Sequence, residues 1–197
     1  MQGPAHASFR RNSFELSGWT GRIAAAVCVA LIVCALALPA HANPKYAALV
    51  IDAHTGQVLY SRNADEPRYP ASLTKVMTLY LLFEKLEKGE ATLKSRITMT
   101  QRGAKMPPSK LGLGVGQTIS VEDAILALVT RSANDVASAT GAFIAGTEDR
   151  FAQVMTKKAR ALGMSKTTYK NASGLPNRAQ ITTARDQATL AMRIRED

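Results

Sequence analysis

A serine and a lysine three residues apart give this sequence its first chemical signal. Ser72 and Lys75 lie in PASLTK (residues 70–75), directly before the apolar run VMTLYLLF. Residues at positions i and i+3 share one face of a helix, with Cβ atoms about 5–6 Å apart. Ser72 would fall in the first turn, where free N–H groups and the helix dipole stabilise a developing oxyanion. The spacing therefore allows Ser72 to act as a nucleophile and Lys75 as its base.

The chain offers few other bases for such a serine. Of the three histidines, His6 and His41 lie in the first 42 residues, and His54 lies in the turn sequence DAHTG. A lysine accepts a serine proton when burial or cationic neighbours lower its pKa. S-x-x-K alone leaves an alternative open, in which Ser72 merely caps the helix and Lys75 is solvated.

A second polar group stands sixty residues downstream, between two predicted helices. It consists of Ser132, Ala133 and Asn134. Ser132 could pass protons between the lysine and a leaving group, and the Asn134 side chain could bind a substrate amide and help to hold Lys75. Taken alone, these two residue types between helices are more often just helix caps. The two motifs together, in this order, are a far more specific indication of an active site.

The elements that must position these residues predict an α+β fold. Two short strand patterns, 46–51 and 57–61, flank a turn that contains His54 and indicate a β-hairpin. The helix at 71–88 is apolar on every face over 79–83, so we expect it to be central and buried. Two strands are too few for a sheet that is stable on its own.

Capping residues mark the other predicted helices. Ser120 with Asp123, and Thr183 with Asp186, have the spacing of capping boxes, and Thr147 is a further N-cap candidate. The remaining segments are predicted as a strand at 94–100, helices at about 120–131, 134–146, 147–162 and 183–195, and loops at 103–118 and 166–182.

The first 42 residues have the anatomy of a secretion signal. Arg10, Arg11 and Arg22 make a basic start, residues 23–38 carry no charge, and Ala-His-Ala follows at 40–42. This pattern predicts cleavage after Ala42 and export to the periplasm or the cell-wall side of the membrane. An uncleaved membrane anchor is the alternative, although sixteen apolar residues are few for a spanning helix.

Residues 43–197 are predicted to form one domain. Cys28 and Cys34 both lie in the leader, which excludes cysteine nucleophiles and cysteine-based zinc sites from the domain. The net charge is +10, and the leader holds three basic and one acidic residue, so the domain carries +8. This excess favours an anionic partner outside the cytoplasm, and no aromatic-interleaved basic patch indicates nucleic acid.

On these motifs the chain resembles the secreted D-alanyl-D-alanine carboxypeptidases, the low-molecular-weight penicillin-binding proteins of the serine β-lactamase-like superfamily. S-x-x-K is a signature of that superfamily. The resemblance implies a β-lactamase/transpeptidase-like fold, Ser72 as the acylated nucleophile and Lys75 as the proton acceptor. It implies Ser132 and Asn134 as the second motif, with Asn134 binding substrate. The segments that carry it are AALVIDAHTGQVLYSRNAD, PASLTKVMTLY, GQTISVEDAILALVTRSANDVA and KTTYKNASGLPN.

The resemblance also implies partners. These are peptidoglycan stem peptides as substrates and β-lactam antibiotics as acylating inhibitors, with no cofactor and no metal. Asn171 and Gly174 lie in a segment typical of the family, but the sequence gives them no role.

One family signature is not found in the chain. The third motif, Lys-Thr-Gly, is missing, and Lys166-Thr167-Thr168 is no substitute, because it has no glycine and lies in a predicted loop. We therefore expect this chain to be the front part of such an enzyme. The C-terminal strands of the sheet, and a region for peripheral membrane association, would then lie beyond it.

Three other functions stay open at this point. They are a truncated, non-catalytic peptidoglycan-binding product, a D,D-endopeptidase acting on cross-links, and a class A-like β-lactamase. Class A enzymes use a glutamate-held water. Between Asp149 and Glu196 the chain has Asp186 as its one acidic residue, at a predicted helix cap.

Overall fold

The computed structural model describes residues 17–36 and 45–196, which fall into two compact units. The first unit contains helix α1 (Ser17–Leu36). None of the helices in the described residues combines the length and apolar character needed to cross a membrane. The predicted cleavage site at 40–42 lies outside the described residues, so processing after Ala42 stays a prediction.

The predicted hairpin opens the second unit. Strands β1 (Ala48–Ile51) and β2 (Val58–Arg62) pair antiparallel, with Ala48 opposite Arg62. Asp52 closes the turn, because its carboxylate accepts the N–H groups of His54 at 2.9 Å and Thr55 at 2.7 Å. His54 is exposed in this turn, as predicted.

Helix α2 (Thr74–Glu87) is the central helix that the sequence predicted, preceded by one 3₁₀ turn (Ala71–Leu73). Its first two turns are almost entirely buried, including polar residues such as Lys75 and Thr78. The helix ends before Gly89, which has a φ of +69° and so takes the left-handed position that favours glycine. Because these polar side chains are buried, they need hydrogen-bond partners from other elements of the fold.

Two elements were not predicted from the sequence. Helix α3 (Gln101–Ala104) and strand β4 (Thr118–Ser120) occupy the two ends of the expected loop at 103–118. β4 pairs antiparallel with β3 (Arg96–Thr98) and places Ile119 opposite Ile97. A three-residue strand has a single inward side chain, so its pattern is too short to show alternation.

The helix starts follow the predicted caps. The hydroxyl of Ser120 accepts the Asp123 N–H at 3.0 Å, and that of Thr183 accepts the Asp186 N–H at 3.1 Å. Thr147 does the same for Arg150 at 3.2 Å. The helices that begin directly after these residues are α4 (Val121–Thr130), α6 (Glu148–Ala161) and α7 (Ala184–Glu196). Helix α5 (Asn134–Ala145) begins after Ala133 without a side-chain cap.

The hydrophobic core lies where α5 packs against α2, α4 and α6. A Cβ atom on Gly141 of α5 would lie 2.7 Å from Phe151 Cδ1, so the close approach of α5 to α6 requires glycine there. Phe151 and Met155 of α6 are fully buried in this core, whereas Val154 is 39% exposed. It lies at the margin of the apolar stripe of α6, whose other face is polar.

The segment between α6 and α7 reaches the start of α2. Two isolated antiparallel β-bridges hold this segment, one between Arg68 and Thr182 and one between Thr168 and Ile181. Within it, the turn at residues 171–174 packs against Ala71 and Thr78. This packing supplies the polar partners that the buried start of α2 requires.

Candidate active site

The start of α2 presents Ser72 and Lys75 in different environments. Ala71 has a left-handed backbone with φ +46°, a conformation that costs a non-glycine residue about 1–2 kcal/mol. Ser72 follows in the 3₁₀ turn and is exposed, whereas Lys75 is 3% exposed. The predicted nucleophile is therefore open to an incoming molecule, and the predicted base is enclosed.

Two oxygen atoms accept hydrogen bonds from the Lys75 amine. Nζ donates to Asn134 Oδ1 at 2.8 Å and to the backbone carbonyl oxygen of Ser173 at 2.6 Å. Burial lowers the pKa of Lys75 to about 8, because removal from water disfavours the charged form. The predicted contact between Asn134 and Lys75 is confirmed.

Asn134 is itself held by the loop that precedes β4. Its Nδ2 donates to the carbonyl oxygen of Pro107 at 3.1 Å, and its backbone N–H donates to that of Ser109 at 2.8 Å. The buried carboxylate of Asp135 accepts the N–H groups of Leu111 at 3.1 Å and Gly112 at 2.9 Å. The first two residues of α5 therefore clamp this loop and fix the direction of the Asn134 carboxamide.

Hydrogen bonds hold most backbone groups of the turn at residues 171–174. Asn171 Oδ1 accepts the N–H groups of Ser173 at 3.2 Å and Gly174 at 2.7 Å. Outside the turn, Glu148 Oε1 accepts the Ala172 N–H at 3.0 Å, and Thr78 Oγ1 donates to the Ala172 carbonyl at 2.8 Å. The Ser173 carbonyl is consequently aimed at Lys75 by contacts from α2, α6 and the turn itself.

Gly174 allows this turn to touch the backbone beside Ser72. It has a φ of +89°, and a Cβ atom placed on it would lie 1.8 Å from the carbonyl oxygen of Ala71 and 3.1 Å from the Ser72 nitrogen. No side chain larger than hydrogen fits at that separation without moving the backbone. Gly174 therefore sets how closely the turn approaches the predicted nucleophile.

The two predicted hydroxyl groups make no hydrogen bond with the described residues. Ser132 is half-buried between α4 and α5 and has a left-handed backbone with φ +52°. Left-handed non-glycine residues cluster at functional sites, where the surrounding structure holds them. The structure thus joins Lys75 directly to Asn134, and leaves the Ser72 and Ser132 side chains without a hydrogen bond to either.

The sequence motifs did not predict the groups of the 171–180 segment that lie around Lys75. The Ser173 carbonyl is a backbone atom, so residue type gives no sign of it. Asn171 and Gly174 were noticed without a role, although Asn followed by a glycine three residues later is turn chemistry. Gln180 is 2% exposed and accepts the N–H groups of Lys170 and Asn171 at 2.8 and 3.0 Å, and no motif indicated it.

Other residues weighed in the sequence lie in structural roles. The Thr167 hydroxyl is buried and donates to Asp186 Oδ2 at 2.6 Å, which agrees with the view that Lys166-Thr167-Thr168 is not the third motif. Asp186 Oδ2 also accepts the Lys166 N–H at 3.0 Å. A class A β-lactamase would need a free carboxylate in this region, and that of Asp186 instead binds the Lys166–Thr167 loop to the start of α7.

A cavity of about 390 Å³ borders the nucleophile turn. Ala71 and Gly174 form its wall nearest to Ser72, and its other lining residues include Tyr69, Leu175 and Gln180. Ser72 is not one of the lining residues, but its chain neighbour Ala71 is, so the cavity offers room for part of a bound molecule next to the turn that carries Ser72.

Known proteins resemble this chain in both sequence and fold. The family model described as D-alanyl-D-alanine carboxypeptidase, peptidase family S11, matches residues 38–197. D-alanyl-D-alanine carboxypeptidase DacF of Bacillus subtilis is 34% identical over 153 residues, which cover 78% of this chain and 39% of DacF. The chain therefore spans about two fifths of the length of this relative.

Solved structures agree with that match. The D-alanyl-D-alanine carboxypeptidase DacD from Francisella tularensis superimposes with a TM-score of 0.73 at 33% identity, covering 79% of this chain and 38% of DacD. Penicillin-binding protein D2 from Listeria monocytogenes, solved in an ampicillin-bound form, gives 0.68 at 31% identity, covering 76% and 61%. With its fold and the surroundings of Lys75, this chain belongs to the D-alanyl-D-alanine carboxypeptidase family.

Proposed function

We propose that this chain carries the nucleophile and base of a serine-type D-alanyl-D-alanine carboxypeptidase, which removes the terminal D-alanine from peptidoglycan stem peptides. The observation that supports this most is the enclosed Lys75 amine, held by Asn134 and Ser173 one helical turn after the exposed Ser72. A lysine with a pKa of about 8 can accept a proton near neutral pH, and a solvated one cannot.

The proposed reaction has two stages. Ser72 Oγ attacks the carbonyl carbon of the penultimate D-alanine while its proton passes to Lys75 Nζ. The oxyanion forms next to the N-terminus of α2, and the C–N bond then breaks as the departing D-alanine amine receives that proton through Ser132. A water molecule then attacks the Ser72 ester while Lys75 accepts its proton; the C–Oγ bond breaks as Lys75 returns that proton to Ser72 Oγ, which frees the shortened peptide as its carboxylic acid and restores both groups. Asn134 has a second amide hydrogen, beyond the one on Pro107, for a substrate carbonyl.

Penicillin labelling tests the nucleophile. In the complete product of the gene that encodes this chain, we expect a fluorescent penicillin to acylate Ser72, since penicillin-binding protein D2 is known in an ampicillin-bound form. Ser72→Ala should abolish labelling, and Ser61→Ala, on the exposed hairpin, should leave it unchanged. A label that survives Ser72→Ala would show that another residue is acylated.

Product analysis separates the remaining alternatives. A carboxypeptidase releases free D-alanine from a pentapeptide, an endopeptidase cuts cross-linked dimers instead, and a β-lactamase returns hydrolysed penicillin rapidly. A protein that binds isolated peptidoglycan but turns over none of these substrates would be the non-catalytic alternative. Release of D-alanine, lost in Ser72→Ala, is the outcome that we expect.

We further propose that residues 1–42 direct export to the cell-wall side of the membrane, where stem peptides are found. The basic start, the uncharged run at 23–38 and Ala-His-Ala at 40–42 support this. Mass spectrometry of the exported protein should find Asn43 at the N-terminus. Recovery of the protein from membranes with Met1 retained would instead indicate an anchor.

A further inference from the structure

Gln180 lies at the centre of a buried polar network that joins the start of α2 to the turn at residues 171–174. Its Oε1 accepts the N–H groups of Lys170 at 2.8 Å and Asn171 at 3.0 Å. Its Nε2 lies 3.3 Å from Thr74 Oγ1 and 3.5 Å from Asn171 Oδ1. One side chain thus contacts both the first residue of α2 and the residue that organises the turn at 171–174.

The network leads from Gln180 to the amine in few steps. Asn171 Oδ1 accepts the N–H groups of Ser173 and Gly174, which fixes the peptide plane whose carbonyl oxygen receives Lys75 Nζ. Thr74 is the neighbour of Lys75 in the chain. Gln180 therefore ties the residue that precedes the amine to the turn that receives it.

The burial of Gln180 requires every polar atom of its side chain to be hydrogen-bonded. Gln180 is 2% exposed, so each of its polar atoms must find a partner within the protein. The Oε1 atom of Gln180 accepts two hydrogen bonds, and the two N–H groups of Nε2 have acceptors in Thr74 and Asn171. The carboxamide therefore uses nearly all of its hydrogen-bonding capacity. An apolar residue of similar length would fill the space and lose all of these bonds together.

We propose that Gln180 is a positioning residue for the Ser72–Lys75 pair, which holds the Ser173 carbonyl against the Lys75 amine at the separation that base function requires. The inference rests on the proposed acyl-transfer function and goes beyond it, because Gln180 touches neither the nucleophile nor the base. Displacement of a catalytic group by about 1 Å can cost on the order of a hundredfold in rate.

The test measures the rate constant of acylation by a fluorescent penicillin across pH, in the complete gene product. Gln180→Met, which keeps length and loses the polar atoms, should lower that constant about tenfold or more. It should also move the alkaline rise of the rate to higher pH, because a loosened turn admits water to Lys75. Gln187→Met is the matched control, since Gln187 is half-buried on α7 and bonds Thr182 at 2.9 Å, away from the turn.

A second variant guards against misfolding of the first. Gln180→Glu keeps an oxygen for the two backbone N–H groups but loses the donor to Thr74 and Asn171. Its rate on the high-pH plateau, reached where the acylation rate no longer rises with pH and Lys75 is neutral, should be at least about fivefold below the parent's.

The outcomes separate this inference from the proposed function. If the parent protein is not acylated at Ser72, the proposed function fails. If the parent is acylated, and a folded Gln180→Met or the plateau of Gln180→Glu matches the parent, the positioning role of Gln180 is overturned. A fall in rate equal to that of Gln187→Met would also overturn it, since the effect would then be general destabilisation.

Discussion

A neutral lysine amine has two N–H bonds and one lone pair. At Lys75 the two N–H bonds have matching acceptors, Asn134 Oδ1 at 2.8 Å and the Ser173 carbonyl at 2.6 Å. The remaining tetrahedral position on Nζ is occupied by a third hydrogen in the ammonium form and by the lone pair in the neutral form. Since two neutral acceptors satisfy the neutral amine fully, they do little to offset the burial that disfavours the charge.

The rate of acylation should therefore follow the ionisation of Lys75. We expect the rate to rise with pH along a limb centred near 8, the value to which burial lowers the pKa of Lys75. Lys75→Arg should lose about 10²–10⁴ in rate and lose the limb as well, because arginine stays protonated. Stopped-flow acylation with penicillin between pH 6 and 10 measures both. An Arg variant that acylates near the parental rate would show that Lys75 is not the base.

The same group should make stability depend on pH. The pKa of Lys75 is about 8 in the folded protein and near 10.5 when the chain is unfolded. Between these values the unfolded state binds more protons, so the free energy of unfolding should increase as pH rises through this window. Urea titrations of parent and Lys75→Arg should differ in slope with pH between 8 and 10.5. Parallel pH dependences in the two proteins would contradict the lowered pKa.

At the scale of elements, the site depends on the contact between the 3₁₀ turn at 71–73 and the turn at 171–174. Ala71 and Gly174 are both left-handed, with φ of +46° and +89°, and they meet through the Ala71 carbonyl oxygen. Neither turn belongs to an α-helix or a strand, and Thr78 of α2 and Glu148 of α6 hold the second turn in place. A change at this contact should therefore affect catalysis more than the fold.

Gly174→Ala tests that contact, with Gly163→Ala as its control. Gly163 has nearly the same φ, +87°, but a Cβ atom there would have no neighbour within 4 Å. Both variants bear the left-handed cost of about 1–2 kcal/mol, and Gly174→Ala alone must also push the Ala71 backbone away. We expect a larger fall in melting temperature and a loss of penicillin acylation in Gly174→Ala. Equal behaviour of the two variants would show that the contact does not position Ser72.

Of the two hydrogen bonds that hold the Lys75 amine, the sequence predicted the one to the Asn134 side chain and missed the one to the Ser173 backbone carbonyl. Ser72, Lys75, Ser132 and Asn134 have diagnostic types and spacing, and the contact of Lys75 with Asn134 is present. The Ser173 carbonyl was not predictable, because any residue supplies a carbonyl and its direction depends on Asn171, Thr78 and Glu148. Gln180 reads as an ordinary loop residue until the fold buries it.

At the scale of the whole domain, the sequence predicted the elements that carry caps or periodicity. The hairpin, α2, α5 and the three capped helices α4, α6 and α7 were all predicted near their observed bounds. The missed elements, α3 and β4, are four and three residues long and owe their form to packing against neighbours. Short segments have too few residues for propensity or periodicity to specify their conformation.

The hairpin of β1 and β2 exposes apolar side chains to solvent. All five residues of β2 are exposed, including Leu59 at 60% and its apolar neighbours Val58 and Tyr60. A two-stranded sheet is marginal in water, and an open strand edge is prone to pair with another chain. The relatives that this chain matches are longer, with 39% of DacF covered.

Residues 43–197, expressed as an isolated polypeptide, should therefore melt without strong cooperativity, bind a hydrophobic dye and self-associate, and should not release D-alanine. Leu59→Lys should reduce dye binding and association, because it places a charge on the exposed strand. Leu126→Lys is the control: Leu126 is 56% exposed on α4, away from the hairpin, and its substitution should change neither property. Sedimentation and circular dichroism measure these effects. A monomeric chain with a sharp melt and measurable D-alanine release would show that these residues suffice for both fold and catalysis.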